Sequence, residues 1–198
     1  FKVMIKMKLN LYELYKNNMF LRSCIFLFLV GTFSVFGQNA NPTASTAIKA
    51  NFTMASVKAY QESATLKVED YYHYLTLFSA ESTSESLKNE IKLSIYNLFE
   101  NENSNVIDYT TEEKPTISLK ELLTKIENKN YLFSVSNFEN SIVANDFWTT
   151  QYQLTISQNE KQKQLQLFQK VSFKPIIKSF GSTKKEVWTL FLGEVTLP

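Results

Sequence analysis

The chain has 198 residues, with 21 basic and 19 acidic side chains and a formal charge of +2. One histidine, one cysteine, one arginine and four glycines are present. That supply rules out a disulfide framework, a zinc site built from two or three histidines within one chain, and a glycine-rich phosphate loop.

Lys2, Lys6, Lys8, Lys16 and Arg22 open the chain, and a nearly continuous apolar run follows from Cys24 to Phe36. Gly37 and Gln38 come next. A positive stretch, an apolar run of roughly 7–15 residues and a small residue at the cut make a secretory signal. A spanning helix needs about 20 apolar residues. The expectation is a signal peptide over residues 1–37, cleaved after Gly37, and an exported protein of the envelope, the periplasm or the medium. Cys24 precedes the apolar run instead of following it, so no lipid anchor is expected there. Residues 1–37 take five of the 21 basic and one of the 19 acidic residues, leaving sixteen lysines against eighteen acids from Gln38 onward, a net charge of −2. Arg22 goes with them. Arginine is the preferred fork for phosphates and base edges, so a mildly acidic chain without it is not expected to bind nucleic acid.

Residues 38–52 are small and polar and read as a flexible lead-in. The period then becomes helical. Val57, Ala64, Val68, Tyr71, Tyr72, Leu75 and Phe78 recur at spacings of three, four and seven, predicting a helix from Thr53 to about Ala80. Ser84 starts a second helix to about Asn101, with Leu87, Ile91, Ile95, Leu98 and Phe99 as its stripe. Val106–Tyr109 is a short strand, and residues 110–116 are a loop. Ser118 caps a third helix from Leu119 to about Asn128, with Glu121 completing a capping box.

After Asn130 the period falls to two. Tyr131–Phe138 is a strand, and residues 140–144 are another or its continuation past a bulge. Phe147–Ser157 alternates most cleanly, with Trp148, Thr150, Tyr152, Leu154 and Ile156 on one face. Gln162–Ile177 and Glu186–Leu197 complete the set. Three helices followed by a meander of strands is a segregated α+β layout in one domain over residues 53–198.

This order resembles the NTF2-like (cystatin-like cone) superfamily, and in particular small exported NTF2-like proteins of Bacteroidetes. The likeness rests on a long first helix ending in Tyr71-Tyr72-His73-Tyr74-Leu75 and a short acid-bearing strand at Val106-Ile107-Asp108-Tyr109. The Ser118-capped helix and three long hairpinned strands closing on Val187–Val195 complete it. The short strand lacks the Asn-Asp pair usual there, having Ile107-Asp108. The resemblance implies three helices packed in the concavity of a curved antiparallel sheet. That fold serves catalysts, binders and structural subunits alike.

His73 is the only imidazole. In one reading it pairs with Asp108 or Asp146 inside the cone as a general base. In the other it is a boundary residue, one step off the apolar side of its helix. Asp108 is either a carboxylate with a raised pKa or an edge residue facing water. Trp148, Tyr152 and Trp188, with Tyr72 on the helix, either line a ligand-binding mouth or form the core. The lysines at 161, 163, 170, 174, 178, 184 and 185 are expected on the outer sheet face, protecting edges or meeting a polyanion or lipid headgroups. No cofactor and no metal are expected. The expected role is a non-catalytic module that binds a protein or dimerises through its sheet. The alternative is a binder of an apolar or sugar-like ligand, or a lyase- or isomerase-like enzyme.

Overall fold

A computed structural model of the chain describes residues 47–198. The signal segment, its cleavage point and Cys24 lie outside the described residues. The domain begins earlier than the composition indicates. Ile48–Asn51 forms a single helical turn, α1, and Ile48 is fully buried, with its N–H donating to the Asn145 carbonyl at 2.8 Å. Phe52 follows and packs on Tyr60, Phe173 and Trp188. One buried isoleucine and one aromatic in a polar stretch are too little for a periodicity argument, but enough to pin the segment to the core.

The three predicted helices are α2, Met54–Ser79, α3, Glu85–Leu98, and α4, Leu119–Ile126. Each opens on a hydroxyl cap. Thr53, Ser84 and Ser118 accept from the N–H groups of Ser56, Leu87 and Glu121, each satisfying one donor that the first turn leaves free. All seven residues of the predicted α2 stripe are buried. On α3 the outcome differs at one end. Leu87 is exposed and Lys88 is buried instead, because its ammonium reaches Asn128 Oδ1.

Between α3 and α4 the chain makes two short strands. β1 is Asn105–Ile107 and β2 is Thr116–Ser118, paired antiparallel with Val106 opposite Ile117. The second of these replaces the end of the predicted loop. Three residues carry no period, so nothing local announces it.

The main sheet is an antiparallel meander of β3, Leu132–Asn140, β4, Phe147–Gln158, β5, Lys161–Phe180, and β6, Thr183–Thr196, in that order. It is curved and does not close. β3 bulges between Ser136 and Glu139, where Asn137 takes φ of 57°, and the strand ends at Asn140. Residues 141–146 are a connection, not a separate strand. β4 buries all five residues of its predicted inner face, Thr150 included. β5 and β6 add Leu167, Val171, Phe173, Leu190, Leu192 and Val195 to the same layer. A register shift between Gln169 and Val171 lets β6 change phase between Leu192 and Val195. Gly193 sits at that shift, where a Cβ would lie 3.3 Å from the Lys170 carbonyl.

β5 outruns its neighbour. The last β4 pair is Phe147 with Ser172, so from Phe173 to Phe180 β5 is bonded in the sheet to β6 alone. Glu100 clamps the base of this two-stranded extension. It accepts from Ser172 Oγ at 2.6 Å and lies 2.9 Å from the Lys174 ammonium.

Candidate functional site

Three of the four residues expected at a ligand-binding mouth, Tyr72, Trp148 and Tyr152, meet inside the domain, but as packing. α2 projects Tyr71 and Tyr72 inward, the turn after β1 supplies Tyr109, and β4 supplies Tyr152 and Trp148. All five are buried. The Tyr72 hydroxyl lies 2.8 Å from that of Tyr109 and 2.9 Å from that of Tyr152. Tyr152 donates to Gln169 Oε1 at 3.2 Å, and Gln169 Nε2 donates to the Gly193 carbonyl at 2.7 Å. A bonded chain thus crosses from the helix through β4 and β5 to β6. Trp148 fills the adjacent space against Phe173, with its indole N–H unpartnered.

Burial raises the pKa of Tyr71, Tyr72, Tyr109 and Tyr152; neighbouring phenols add to the rise at Tyr71 and Tyr72, while at Tyr109 and Tyr152 hydrogen bonds from those phenols oppose it without cancelling it. The phenols therefore stay neutral in the folded domain at any ordinary pH. The unfolded chain ionises near pH 10 and the folded one above it, so this contribution is complete below pH 10 and lost as pH rises beyond it. Tyr72→Phe keeps the ring and removes both central bonds. We expect a loss of about 1–3 kcal/mol with an unchanged urea m-value. A loss below about 0.5 kcal/mol would mean the network adds nothing to its rings.

Asp108 departs from both of its sequence readings. It is fully buried, and it neither faces water nor carries a raised pKa. Its Oδ1 accepts from the Thr110 N–H at 2.8 Å and from Thr110 Oγ1 at 2.5 Å, while Oδ2 meets the Lys125 ammonium at 2.8 Å. Burial alone would raise the carboxyl, but the bonds from Lys125 and Thr110 outweigh it and hold the pKa below the usual aspartate value. In return, the Asp108 bond raises the pKa of Lys125. Asp108 works as a pin between the end of β1 and α4.

His73 is exposed on α2, with its ring 6.3 Å from that of Tyr74. It and Asp108 are not brought together. Trp188 is half-buried at the base of the β5–β6 extension, packed on Phe52 at 4.9 Å and Phe173 at 5.1 Å. Among the described residues, no group of three or more His, Cys, Asp or Glu side chains is placed to hold a metal.

Two open clefts went unnoticed in the sequence. One, of about 610 Å³, lies at the β4–β5 turn, with Tyr109, Thr110, Tyr131, Gln158 and Lys163 in its wall. Lys163 was expected outside, yet it pairs with buried Ile156 and so falls on the inner phase of β5. Its ammonium donates to the Tyr109 carbonyl, and burial lowers its pKa despite the opposing charge of Glu112. Lys163 keeps the phase of Leu165 and Leu167, which alternation alone extends back to it, although its charge suggests the outer face. The second cleft, of about 390 Å³, runs over the outer face. There Asn137 Nδ2 donates to Gln153 Oε1 at 2.8 Å, and Gln153 Nε2 donates to Gln164 Oε1 at 2.9 Å.

No family model matches the sequence, and no curated protein matches it.

Proposed function

We propose that this chain is an exported, non-catalytic envelope or periplasmic protein, whose NTF2-like domain holds a protein partner or a second copy of itself. The observation that carries the reading is the packed interior. In a cone that served chemistry or ligand binding, the centre of the helix–sheet interface would be the pocket. Here Tyr71, Tyr72, Tyr109, Tyr152 and Trp148 occupy that centre and bond or pack to one another. His73 is exposed on α2 and Asp108 is committed to Thr110 and Lys125, so neither is presented to a substrate at the centre of the cone. What remains for recognition is the outside. Of the two clefts described, the one beside Lys163 offers a small polar ligand a cation as well as hydrogen-bonding groups.

The test is capture from envelope extracts together with light scattering. Tagged protein should recover the same protein in repeated captures, or run as a dimer. His73→Ala should change neither result. A monomer that captures nothing reproducibly overturns the reading.

A further inference from the structure

The β5–β6 extension is the part of the domain whose side chains have least reason to be where they are. Ten consecutive residues, Ile177 to Glu186, are exposed. Four residues of each strand therefore project about 13 Å beyond the packed body at 3.3 Å per residue. A two-stranded ribbon is marginal on its own, and this one carries apolar groups at its end. Ile177 is 66% and Phe180 55% exposed.

The charges are unbalanced as well, three lysines against the one acid of the stretch, Glu186, which lies opposite Ile177. Lys178 lies directly opposite Lys185, and Ser179 opposite Lys184. Like charges paired across strands destabilise a ribbon. Among the described residues, none of Lys178, Lys184 and Lys185 has an acidic partner within ion-pair distance, whereas Lys174 at the base is paired with Glu100. Alternation puts Phe180 on the same face as Lys178 and Lys185, one step nearer the tip. The finger thus ends in an aromatic ring backed by two cations on one face. The turn beyond is Gly181-Ser182, tight because Gly181 supplies a φ of 62°.

Protection against edge-to-edge pairing would account for the lysines. It does not account for Ile177 and Phe180, which add the hazard that the lysines would remove. A socket on a protein partner would suit a finger, but would have to match two apolar and three cationic groups on a twisted ribbon. A bilayer demands less. It takes an aromatic ring at headgroup depth, and its phosphates lie where the lysines would be. Without arginine, the finger offers point charges and no planar forks, which suits a fluid array of phosphates better than one fixed oxyanion.

We propose that the β5–β6 finger is a membrane-contacting element, seating Phe180 in the interface of an anionic phospholipid bilayer with Lys178, Lys184 and Lys185 on its headgroups. The proposal is independent of what the rest of the domain holds. Its test uses the whole chain, with Cys24→Ser and Ser182→Cys and an environment-sensitive dye on the new thiol. Vesicles of equimolar phosphatidylglycerol and phosphatidylcholine should brighten and blue-shift the dye, and phosphatidylcholine alone should not. Each lysine near an anionic surface strengthens binding about fivefold, so Lys178→Glu with Lys185→Glu should weaken the partition by at least about 25-fold. Phe180→Ser should weaken it about tenfold. All three side chains are exposed, so these variants should keep the wild-type circular dichroism.

The dye reads the tip and not the apolar N-terminal run. A silent dye on vesicles that nevertheless sediment the chain overturns the proposal. So does an equal shift on neutral lipid, or a shift that survives the charge reversal. A dye silent on vesicles that shifts with a soluble protein fraction assigns the finger to a protein and overturns it as well.

Discussion

Trp148→Ala is expected to destabilise the domain by about 3–5 kcal/mol, enough to consume a large part of the stability of an ordinary domain of this size. Trp148 is among the largest fully buried side chains, lies opposite Val171 in the sheet and touches Phe173. Val171 is held by ladders to both β4 and β6 and Phe173 by the ladder to β6, which limits their collapse into the space left behind. Trp148→Phe separates size from polarity. The indole N–H is buried without a partner, and such an orphan itself costs about 1–3 kcal/mol. Phenylalanine removes that cost while giving up part of the ring. We therefore expect it to lose less than half of what alanine loses, with unchanged m-values in urea for both. Equal losses for the two variants would show that the site cannot tolerate any change of shape and that the orphan N–H is irrelevant.

The same residue shows what was readable in advance. β4 alternates without interruption, so its buried face followed from period alone. The α2 stripe followed equally well, and Leu119, Leu122, Leu123 and Ile126 of α4 share one face by the same spacing, for both are set by helical geometry within one segment. The failures involve partners on other elements. Lys88 is buried because Asn128 receives it. The finger exists because β4 starts at Phe147 while β5 runs on to Phe180. No local pattern carries those facts.

The site divides in the same way. Aromatic residues at 72, 148 and 152 were identifiable as inward-facing, but the hydroxyl bonds of Tyr72 and Tyr152, which decide between a pocket and a core, depend on Tyr109 and Gln169 from other elements. For Asp108 a local clue was present. An aspartate two residues before a threonine can fold its carboxylate back on the backbone, as Oδ1 does here to the Thr110 N–H. Lys125, seventeen residues on, supplies the charge, and that partner had no signal.

Asp108→Ala is expected to cost about 2–3 kcal/mol near neutral pH, because it strips a buried charged acceptor from three donors at once. Asp108→Asn keeps the shape and the bond from the Thr110 N–H but loses the anion facing Lys125, so its loss should be smaller. The pH dependence identifies the origin of both. The folded pKa lies below the usual value of 3.8, because bonds from Lys125 and Thr110 outweigh burial. A lowered carboxyl adds stability that is complete above the unfolded pKa, about 3.9, and is lost as pH falls through the folded value. The gap between wild type and Asp108→Asn in urea titrations should therefore be constant from neutral pH down to about pH 5. It should narrow below about pH 4 and close in stronger acid. A carboxyl serving as a general acid would behave in the opposite sense. Its pKa would be raised, and the asparagine variant would be the more stable protein at neutral pH. A gap of that sign would return Asp108 to the list of catalytic candidates, and would remove one of the two observations that set His73 and Asp108 aside.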